Sequence, residues 1–325
     1  MCVKDELRSL FTNYWHYLSL RTACQLNLFD EISAGDNTIV SLTALIDVDS
    51  FALNKLISHL EEYAFIYKDN SYLFLTEKGE ILTDHHPDSI KQSCILWGGE
   101  HMSAWQNLEY TVRTGESSFE NTLGLDFFDF IKTDSKKLQN YHKAMAEYAR
   151  DDYSEIANVI DFSSFKNIVD LGGGLGVLIN NIAMKNPDLN CCLFDKEEVI
   201  NLVAPNVVKN VKLIKGDFFD KLLVKADALI LSRVIHDWSD YNAKLILDNC
   251  FDALQNGDKI FIIEIMNDEI DANLLSLNMM AVCRSYERTF SQYIDLLEKS
   301  NFKMTSKIKL NGLQTIIIAE KYEIQ

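Results

Sequence analysis

The sequence predicts an α/β protein in which a mostly helical N-terminal region precedes a doubly wound, mainly parallel sheet with a final antiparallel hairpin. After about residue 165, short apolar runs alternate with helical patterns, and this alternation is typical of parallel sheets covered by helices. The predicted strands are 167–171, 189–194, 211–215, 228–232 and 259–265. Residues 302–309 and 313–319 flank the Asn311–Gly312 pair, which favours a hairpin turn.

Residues 1 to about 90 are predicted to form small helices followed by a hairpin. Helical periodicity covers 41–46 and 52–60, and two short strands flank Asp69 and Asn70. Three helices and a hairpin describe a winged helix, which serves in DNA binding or in subunit association. Because the net charge is −17, the chain would repel a nucleic-acid backbone. We therefore expect a homodimer formed through this domain, with the aromatic-rich stretch 10–18 at the interface, and no nucleic-acid partner.

Residues 91–160 are predicted to be a helical connector that includes helical pattern over 134–160. Its aromatic and methionine side chains, among them Tyr141 and Met145, fit two interpretations: ordinary core packing, or the wall of a pocket for a flat organic substrate. The sequence leaves both open. We place the domain boundaries at 1–90, 91–160 and 161–325.

The composition argues against several classes of protein. The 325 residues are 47% hydrophobic, as in globular chains, and no run of 18 or more apolar residues predicts a membrane span. The start, Met1–Glu6, is not a basic segment followed by an apolar one, so a secretory signal is not expected. The seven cysteines include no Cys-x-x-Cys pair, which argues against a zinc site and favours a reducing cytoplasm. We expect a cytoplasmic protein without a metal.

The most informative stretch joins the first strand of the predicted sheet to a glycine-rich turn. The strand contains Asp170, glycine occupies alternate positions of the turn 172–176, and 177–183 is predicted to be a helix. Glycine lets a backbone approach a ligand closely, and strand, turn and helix N-terminus together are typical of a nucleotide-binding corner. Asp195 lies 25 positions after Asp170, about where a ribose-binding acid is found. The dinucleotide fingerprint requires glycine at Val177, so the spacing favours S-adenosylmethionine instead.

Further candidate residues follow the other predicted strands, where sheets of this kind bind ligands. Gly216, Asp217 and Phe218 follow the third strand. Asp217 and Phe218 could bind an exocyclic amine and cover a purine, or they could be a capping residue and a core residue. Ser232 and Arg233 follow the fourth strand.

His236 is the candidate base, because it follows the fourth strand beside Asp237 and a carboxylate partner raises the basicity of an imidazole. Free imidazole has a pKa of about 6.5 and a phenol has a pKa of about 10. Complete transfer of a proton from a phenol to a free imidazole would therefore be uphill by about 5 kcal/mol. We expect proton removal to accompany methyl transfer, or to be helped by Glu264 or Glu287.

The chain resembles the S-adenosylmethionine-dependent small-molecule O-methyltransferases, and among them the caffeate, hydroxyindole and bacterial antibiotic-tailoring enzymes. The resemblance covers nearly the whole chain and is most specific at 169–176, 216–219, 236–240 and 287–289, with further similarity at 76–79 and 112–115. It implies a winged-helix-like dimerisation domain followed by a Rossmann-like class I methyltransferase domain. It also implies methyl transfer to a hydroxyl of a small aromatic acceptor, with S-adenosylhomocysteine as product.

The resemblance implies a role for each candidate residue. His236 would be the general base, flanked and oriented by Glu264 and Glu287. The residues that would bind the cofactor are Asp170, Gly172, Gly174, Asp195, Gly216, Asp217, Phe218, Ser232 and Arg233. The residues that would line the acceptor pocket are Tyr141, Met145 and Met279.

The chain also departs from the family pattern. Ser232 stands where the family often has lysine, Lys196 and Glu197 replace leucine and proline, and 284–286 lack a glycine pair. Two alternatives therefore accompany the prediction. One is an enzyme on the same scaffold that catalyses hydroxylation or decarboxylation. The other is a DNA-binding regulator, which the acidic residues of the candidate recognition helix 52–62 disfavour.

Overall fold

The computed structural model describes residues 2–203 and 210–322. The chain divides into two compact units, Met1–Met102 and Ser103–Gln325. Among the described residues, the helices are all too short or too polar to cross a membrane.

The first unit consists of helices and a two-stranded antiparallel sheet. Its elements are α1 (Val3–Gln25), α2 (Leu28–Ala34), α3 (Ile39–Leu45), α4 (Ser50–Glu62), β1 (Ile66–Asp69), β2 (Tyr72–Leu75), α5 (Glu77–Glu80) and α6 (Lys91–Trp97), while α7 (Glu100–Gln106) spans the boundary. Thr38 and Asp49 cap α3 and α4 by accepting backbone N–H bonds. Asn70 turns the hairpin with a φ of 56°. The order of helices and hairpin is the predicted one.

The second unit contains a mixed sheet surrounded by helices. Its helices are α8 (Leu108–Thr114), α9 (Ser118–Leu123), α10 (Phe127–Lys132), α11 (Ser135–Asp152), α12 (Ile156–Val159), α13 (Val177–Lys185), α14 (Glu197–Val203), α15 (Asp240–Ala253), α16 (Asn273–Cys283) and α17 (Phe290–Lys299). Its strands are β3 (Asn167–Leu171), β4 (Asn190–Asp195), β5 (Val211–Lys215), β6 (Ala228–Ser232), β7 (Lys259–Ile265), β8 (Phe302–Lys309) and β9 (Gln314–Lys321).

The sheet has the order β5-β4-β3-β6-β7-β9-β8. The first five of these strands are parallel, and β9 pairs antiparallel with both β7 and β8. The predicted fold class is therefore confirmed, including the C-terminal hairpin. The parallel strands end at one edge of the sheet, which is where the candidate site residues lie.

Both faces of the sheet are covered, as a mainly parallel sheet requires. Along β3, Ile168 and Val169 point to opposite faces and join two different hydrophobic clusters. Along β6, Ile230 and Leu231 divide between the same two clusters. The apolar runs in the sequence reflect this burial on both sides.

The helical pattern over 134–160 corresponds to two helices, since α11 ends at Asp152 and α12 begins at Ile156. Ser154 lies in the break, and its hydroxyl donates to the carbonyl of Asp151 over 3.0 Å. Such a local bond competes with the helical hydrogen-bond pattern.

Candidate active site

The glycine-rich turn after β3 is held against the end of β4 by hydrogen bonds. The Gly172 N–H donates to the Phe194 carbonyl over 2.8 Å, and the Gly174 N–H donates to Asp195 Oδ2 over 2.9 Å. Gly174 has a φ of 58°, a left-handed conformation that glycine adopts without strain. The structure therefore brings Gly172, Gly174 and Asp195 together at the carboxyl ends of neighbouring strands.

Asp170 is a buried carboxylate beneath this turn. It is 1% exposed, and among the described residues neither of its oxygens has a hydrogen-bond partner. Burial, and then the nearby Asp195 carboxylate, raises the pKa of Asp170 to about 7. Burying a carboxylate without a partner is costly, so its position fits a ligand with a cationic group. The ammonium of S-adenosylmethionine is such a group.

Gly173 is a residue to which the sequence assigned no role, yet it is the most constrained of the turn. A Cβ at Gly173 would lie 2.5 Å from both Asp170 Oδ2 and Leu193 Cδ1. We expect Gly173→Ala to destabilise the fold by about 1–3 kcal/mol through overpacking and to weaken S-adenosylhomocysteine binding about tenfold, which is about 1.4 kcal/mol. Calorimetric titration and thermal unfolding measure the two effects.

Gly312→Ala is the matched control for this substitution. A Cβ at Gly312 would have only Gln314 Oε1 nearby, at 3.5 Å, which is ordinary contact. Wild-type affinity and stability in Gly173→Ala would show that the turn is looser than the structure indicates.

Gly216, Asp217 and Phe218 follow directly after β5, the third strand of the predicted sheet. The Gly216 N–H donates to the Asp195 carbonyl over 3.0 Å, and Asp217 Oδ1 accepts from the Phe219 N–H over 3.0 Å. The Phe218 ring lies over the turn, because a Cβ at Gly172 would be 3.3 Å from Phe218 Cε1. These residues therefore lie next to the glycine-rich turn, at the carboxyl ends of the parallel strands.

Ser232 ends β6, and Arg233 follows it with a φ of 53°, which is uncommon for a non-glycine residue. The Arg233 guanidinium lies 3.5 Å from Asp152 Oδ2 through Nη1 and 3.8 Å from Met145 Sδ through Nη2. The structure therefore places a residue predicted for the cofactor in contact with one predicted for the acceptor.

His236 lies in a single 3-10 turn, Ile235–Asp237, and is 5% exposed. Its Nδ1 is 2.8 Å from Glu287 Oε1 and 3.9 Å from Glu264 Oε2. The three predicted catalytic residues are therefore neighbours. Asp237 Oδ1 lies 3.6 Å from Nε2 on the other side of the ring. Asp237, predicted from its place beside His236 to be a carboxylate neighbour of the ring, is therefore close to it.

The two glutamates hold different parts of this turn. Glu264 Oε1 accepts from the backbone N–H groups of Val234, Ile235 and His236, over 3.0, 2.9 and 3.4 Å. Glu287 Oε1 bonds to the imidazole itself. Glu264 therefore anchors the backbone of the turn, and Glu287 orients the ring.

The carboxylates determine the basicity of His236. Burial alone would lower the imidazole pKa, but Glu264, Glu287 and Asp237 outweigh it and raise the pKa to about 10. Burial in turn raises the pKa of Glu264 to about 7 and that of Asp237 to about 6. The cluster stabilises a proton on the ring, so neutral His236 is a stronger base than free imidazole.

The predicted acceptor residues occupy two helices. Tyr141, on α11, packs edge-on against Phe127 and Phe128 with centroids 5.0 and 6.1 Å apart. Burial and then the Asp237 carboxylate raise the Tyr141 pKa, so the phenol lies in the same region as Asp237. Met279 is buried on α16. Among the described residues, no three His, Cys, Asp or Glu side chains are grouped as metal ligands.

Comparison with known proteins places this geometry in context. The O-methyltransferase domain family matches residues 105–303. Phenazine O-methyltransferase PhzM from Lysobacter antibioticus is 27% identical, over 92% of this chain and 90% of that protein. Aclacinomycin 10-hydroxylase RdmB from Streptomyces purpurascens is 28% identical, over 92% of this chain and 84% of that protein.

A solved structure shares the fold over almost its full length. The crystal structure of human N-acetylserotonin methyltransferase in complex with S-adenosylmethionine has a TM-score of 0.90 and 23% identity, and the match covers 99% of this chain and 98% of that one. The family match covers more than half of the 325 residues. The chain therefore belongs to the O-methyltransferase domain family and is an S-adenosylmethionine-dependent O-methyltransferase.

Proposed function

We propose that this enzyme methylates a hydroxyl of a small aromatic acceptor and that His236 is the general base. The observation that carries the proposal is the buried imidazole, which Glu287 holds through Nδ1 at 2.8 Å. The matched phenazine O-methyltransferase is named for an aromatic substrate, which supports the acceptor class.

The residues at the carboxyl ends of the strands fit the cofactor. Asp170 would pair with its ammonium, and Asp195 would accept hydrogen bonds from the ribose hydroxyls. Asp217 and Phe218 would bind and cover the adenine, beside Gly216. When bound, S-adenosylmethionine supplies a methyl group activated by a cationic sulfur. The Gly172–Gly174 backbone, Ser232 and Arg233 would complete this site.

The hydrogen bond of Nδ1 decides which atom of His236 can act as the base. Glu287 accepts from Nδ1–H, so the neutral ring has its lone pair on Nε2. Nε2 would accept the hydroxyl proton as the acceptor oxygen attacks. With its pKa raised to about 10, the imidazole matches a phenol, whose pKa is also about 10. Proton transfer from a phenol to the neutral ring is then no longer uphill, and the remaining cost is that of forming the neutral ring below its pKa of about 10.

The raised pKa of His236 predicts an unusual pH dependence. Only the neutral ring accepts a proton. Because the pKa of His236 is raised to about 10, the ring is mostly charged below that pH. We therefore expect kcat/KM to rise with pH across the range from 7 to 10. A cation bound beside the ring disfavours imidazolium, so the midpoint for kcat should lie at a lower pH than that for kcat/KM.

Initial rates measured in buffers from pH 6 to pH 10 test this prediction. Glu287→Gln should move both midpoints to lower pH, because it removes one carboxylate that stabilises the charged ring. A profile that is flat over this range in the wild-type enzyme would show that no imidazole titration limits the reaction.

The acceptor pocket is proposed to include Tyr141, Met145 and Met279. Phe128 stacks on Trp238 with ring centroids 5.5 Å apart and also packs near Tyr141. Trp238 follows the His236 turn directly, so this group of rings lies near the imidazole. Flat aromatic walls favour a planar acceptor.

A panel of hydroxylated aromatics incubated with S-adenosylmethionine labelled in the methyl group tests the proposed function. We expect label in an ether product. The matched hydroxylase makes a second outcome meaningful: a hydroxylated product without label would overturn methyl transfer and favour the same scaffold used for another reaction.

We also propose that the chain is a homodimer through its first unit. Helix α1 exposes a row of large apolar side chains, with Phe11 66% exposed and Leu10, Tyr14 and Trp15 beside it in sequence. Contiguous apolar surface of this kind marks interfaces. We expect Phe11→Glu with Trp15→Glu to halve the sedimenting mass, from twice 37.2 kDa to one chain.

Leu223→Glu is the control for this pair, since Leu223 is an exposed apolar residue of the second unit. A wild-type protein that sediments as one chain would refute the dimer.

The seven cysteines, all of them described, are free thiols, and on that ground we propose a reducing, cytoplasmic location.

A further inference from the structure

Arg288 is a fully buried arginine that grips the turn carrying His236. Its Nη1 donates to the Ile235 carbonyl over 3.0 Å, and its Nη2 donates to the Trp238 carbonyl over 2.7 Å. Nε and Nη2 also donate to Asp240 Oδ1, over 2.9 and 2.7 Å. The guanidinium thus binds the chain on both sides of the imidazole.

Glu264 binds the backbone N–H groups of the same turn. Glu264 accepts the N–H groups at the start of the turn, whereas Arg288 donates to its carbonyl groups. Arg288 also follows Glu287 directly in the chain, and Glu287 binds the imidazole ring. Two consecutive residues therefore hold the ring and its backbone, so a shift of one moves the other.

We propose that Arg288 is a positioning residue for methyl transfer, which fixes the His236 imidazole against the Glu287 carboxylate. The proposal rests on the proposed role of His236 as base. Burying an arginine is costly unless its N–H donors are satisfied. Here two of these donors bind carbonyl groups of the turn that contains His236. Correct placement of a base matters, since an error of about 1 Å can cost about 100-fold in rate.

A merely structural role is the alternative. Arg288 also stacks on Tyr286 and Tyr293, with 5.2 and 5.9 Å from the guanidinium carbon to the ring centroids, so its removal will lower stability in either case. Asp240 offers a milder probe, because its side chain is 61% exposed while its Oδ1 accepts two of the Arg288 bonds.

The test compares Arg288→Met, Arg288→Lys and Asp240→Asn with Phe162→Leu. Phe162 is a buried core residue of the cluster on the other face of the sheet, so it reports a loss of stability alone. Three measurements are made on the full chain: kcat, S-adenosylhomocysteine affinity, and the His236 titration followed by NMR of ¹⁵N-labelled histidine.

For Arg288→Met we expect kcat to fall about 100-fold and cofactor-product affinity to stay within about threefold. Arg288→Lys keeps the positive charge but loses the planar set of donors, so in that variant we expect the His236 titration to move to lower pH because Glu287 is no longer held against the ring. Arg288→Lys and Asp240→Asn should lower kcat by smaller factors. Phe162→Leu should lower the melting temperature and leave the titration unchanged.

An unchanged His236 titration in Arg288→Lys, with a rate loss in Arg288→Met no larger than in Phe162→Leu, would overturn the positioning role. Where Arg288→Met does not fold, an unchanged titration and an unchanged kcat in Arg288→Lys overturn it equally. The titration needs no turnover, so it separates this proposal from the proposed function: full activity in a His236 variant would refute the base and not the coupling between Arg288 and the ring.

Discussion

Replacing His236 with glutamine should lower kcat by about 10²–10⁴-fold while S-adenosylhomocysteine still binds. Glutamine can donate an amide N–H to Glu287 and so keeps a partner for that buried carboxylate, which alanine would not. It cannot accept the hydroxyl proton with useful basicity. The expected loss is therefore one of chemistry, and single-turnover rates with labelled cofactor measure it.

His85→Gln is the matched control, since His85 is an exposed histidine of the first unit. Cofactor-product affinity should be close to wild type in both variants. The melting temperature at neutral pH should be unchanged in His85→Gln and lower in His236→Gln, because the His236 pKa is raised to about 10 and the charged ring therefore stabilises the fold. Full turnover in the His236 variant would remove the imidazole from the mechanism and leave alignment of the reactants as the main source of rate.

The second large effect is expected for Glu264→Ala. Glu264 is 0% exposed, and its Oε1 accepts three backbone N–H bonds. Removing a buried charged partner of this kind destabilises by about 3–5 kcal/mol, and the released turn should also lose the position of His236. We expect the free energy of unfolding to fall by that amount and kcat to fall about 100-fold or more, as measured by urea unfolding and initial rates.

Glu264→Gln separates the anchor from the charge. Its amide oxygen can still accept the backbone bonds, so most of the stability should return, whereas the His236 pKa should fall because one carboxylate is gone. If Glu264→Ala were as stable as wild type, the three N–H groups would have other partners and the anchoring role would be wrong.

The strands and the glycine-rich turn could be predicted from the sequence because their signals are local. Apolar runs such as 228–232 coincide with β6, and the turn after Asp170 contains its own glycines. The periodicity of side chains and the conformational freedom of glycine act over a few residues, so a single sequence contains them.

The division of work between the two glutamates could not be predicted. Glu264 and Glu287 were both expected to flank His236, yet Glu287 contacts the ring and Glu264 mainly holds the backbone. This distinction depends on the difference between 2.8 and 3.9 Å in the distances from His236 Nδ1 to carboxylates that lie 51 and 28 positions away in the chain. The same holds for Gly173, whose constraint arises from the Leu193 side chain on the next strand.

The last strand of the sheet has a consequence for behaviour at high concentration. β8 is the outer strand, paired only with β9 among the described residues, and an unpaired edge can recruit strands from other molecules. Its exposed positions include Lys303, Lys307 and Lys309. Burying these ammonium groups between two chains would be unfavourable. The edge therefore resists pairing with strands of other molecules, which is a step toward aggregation.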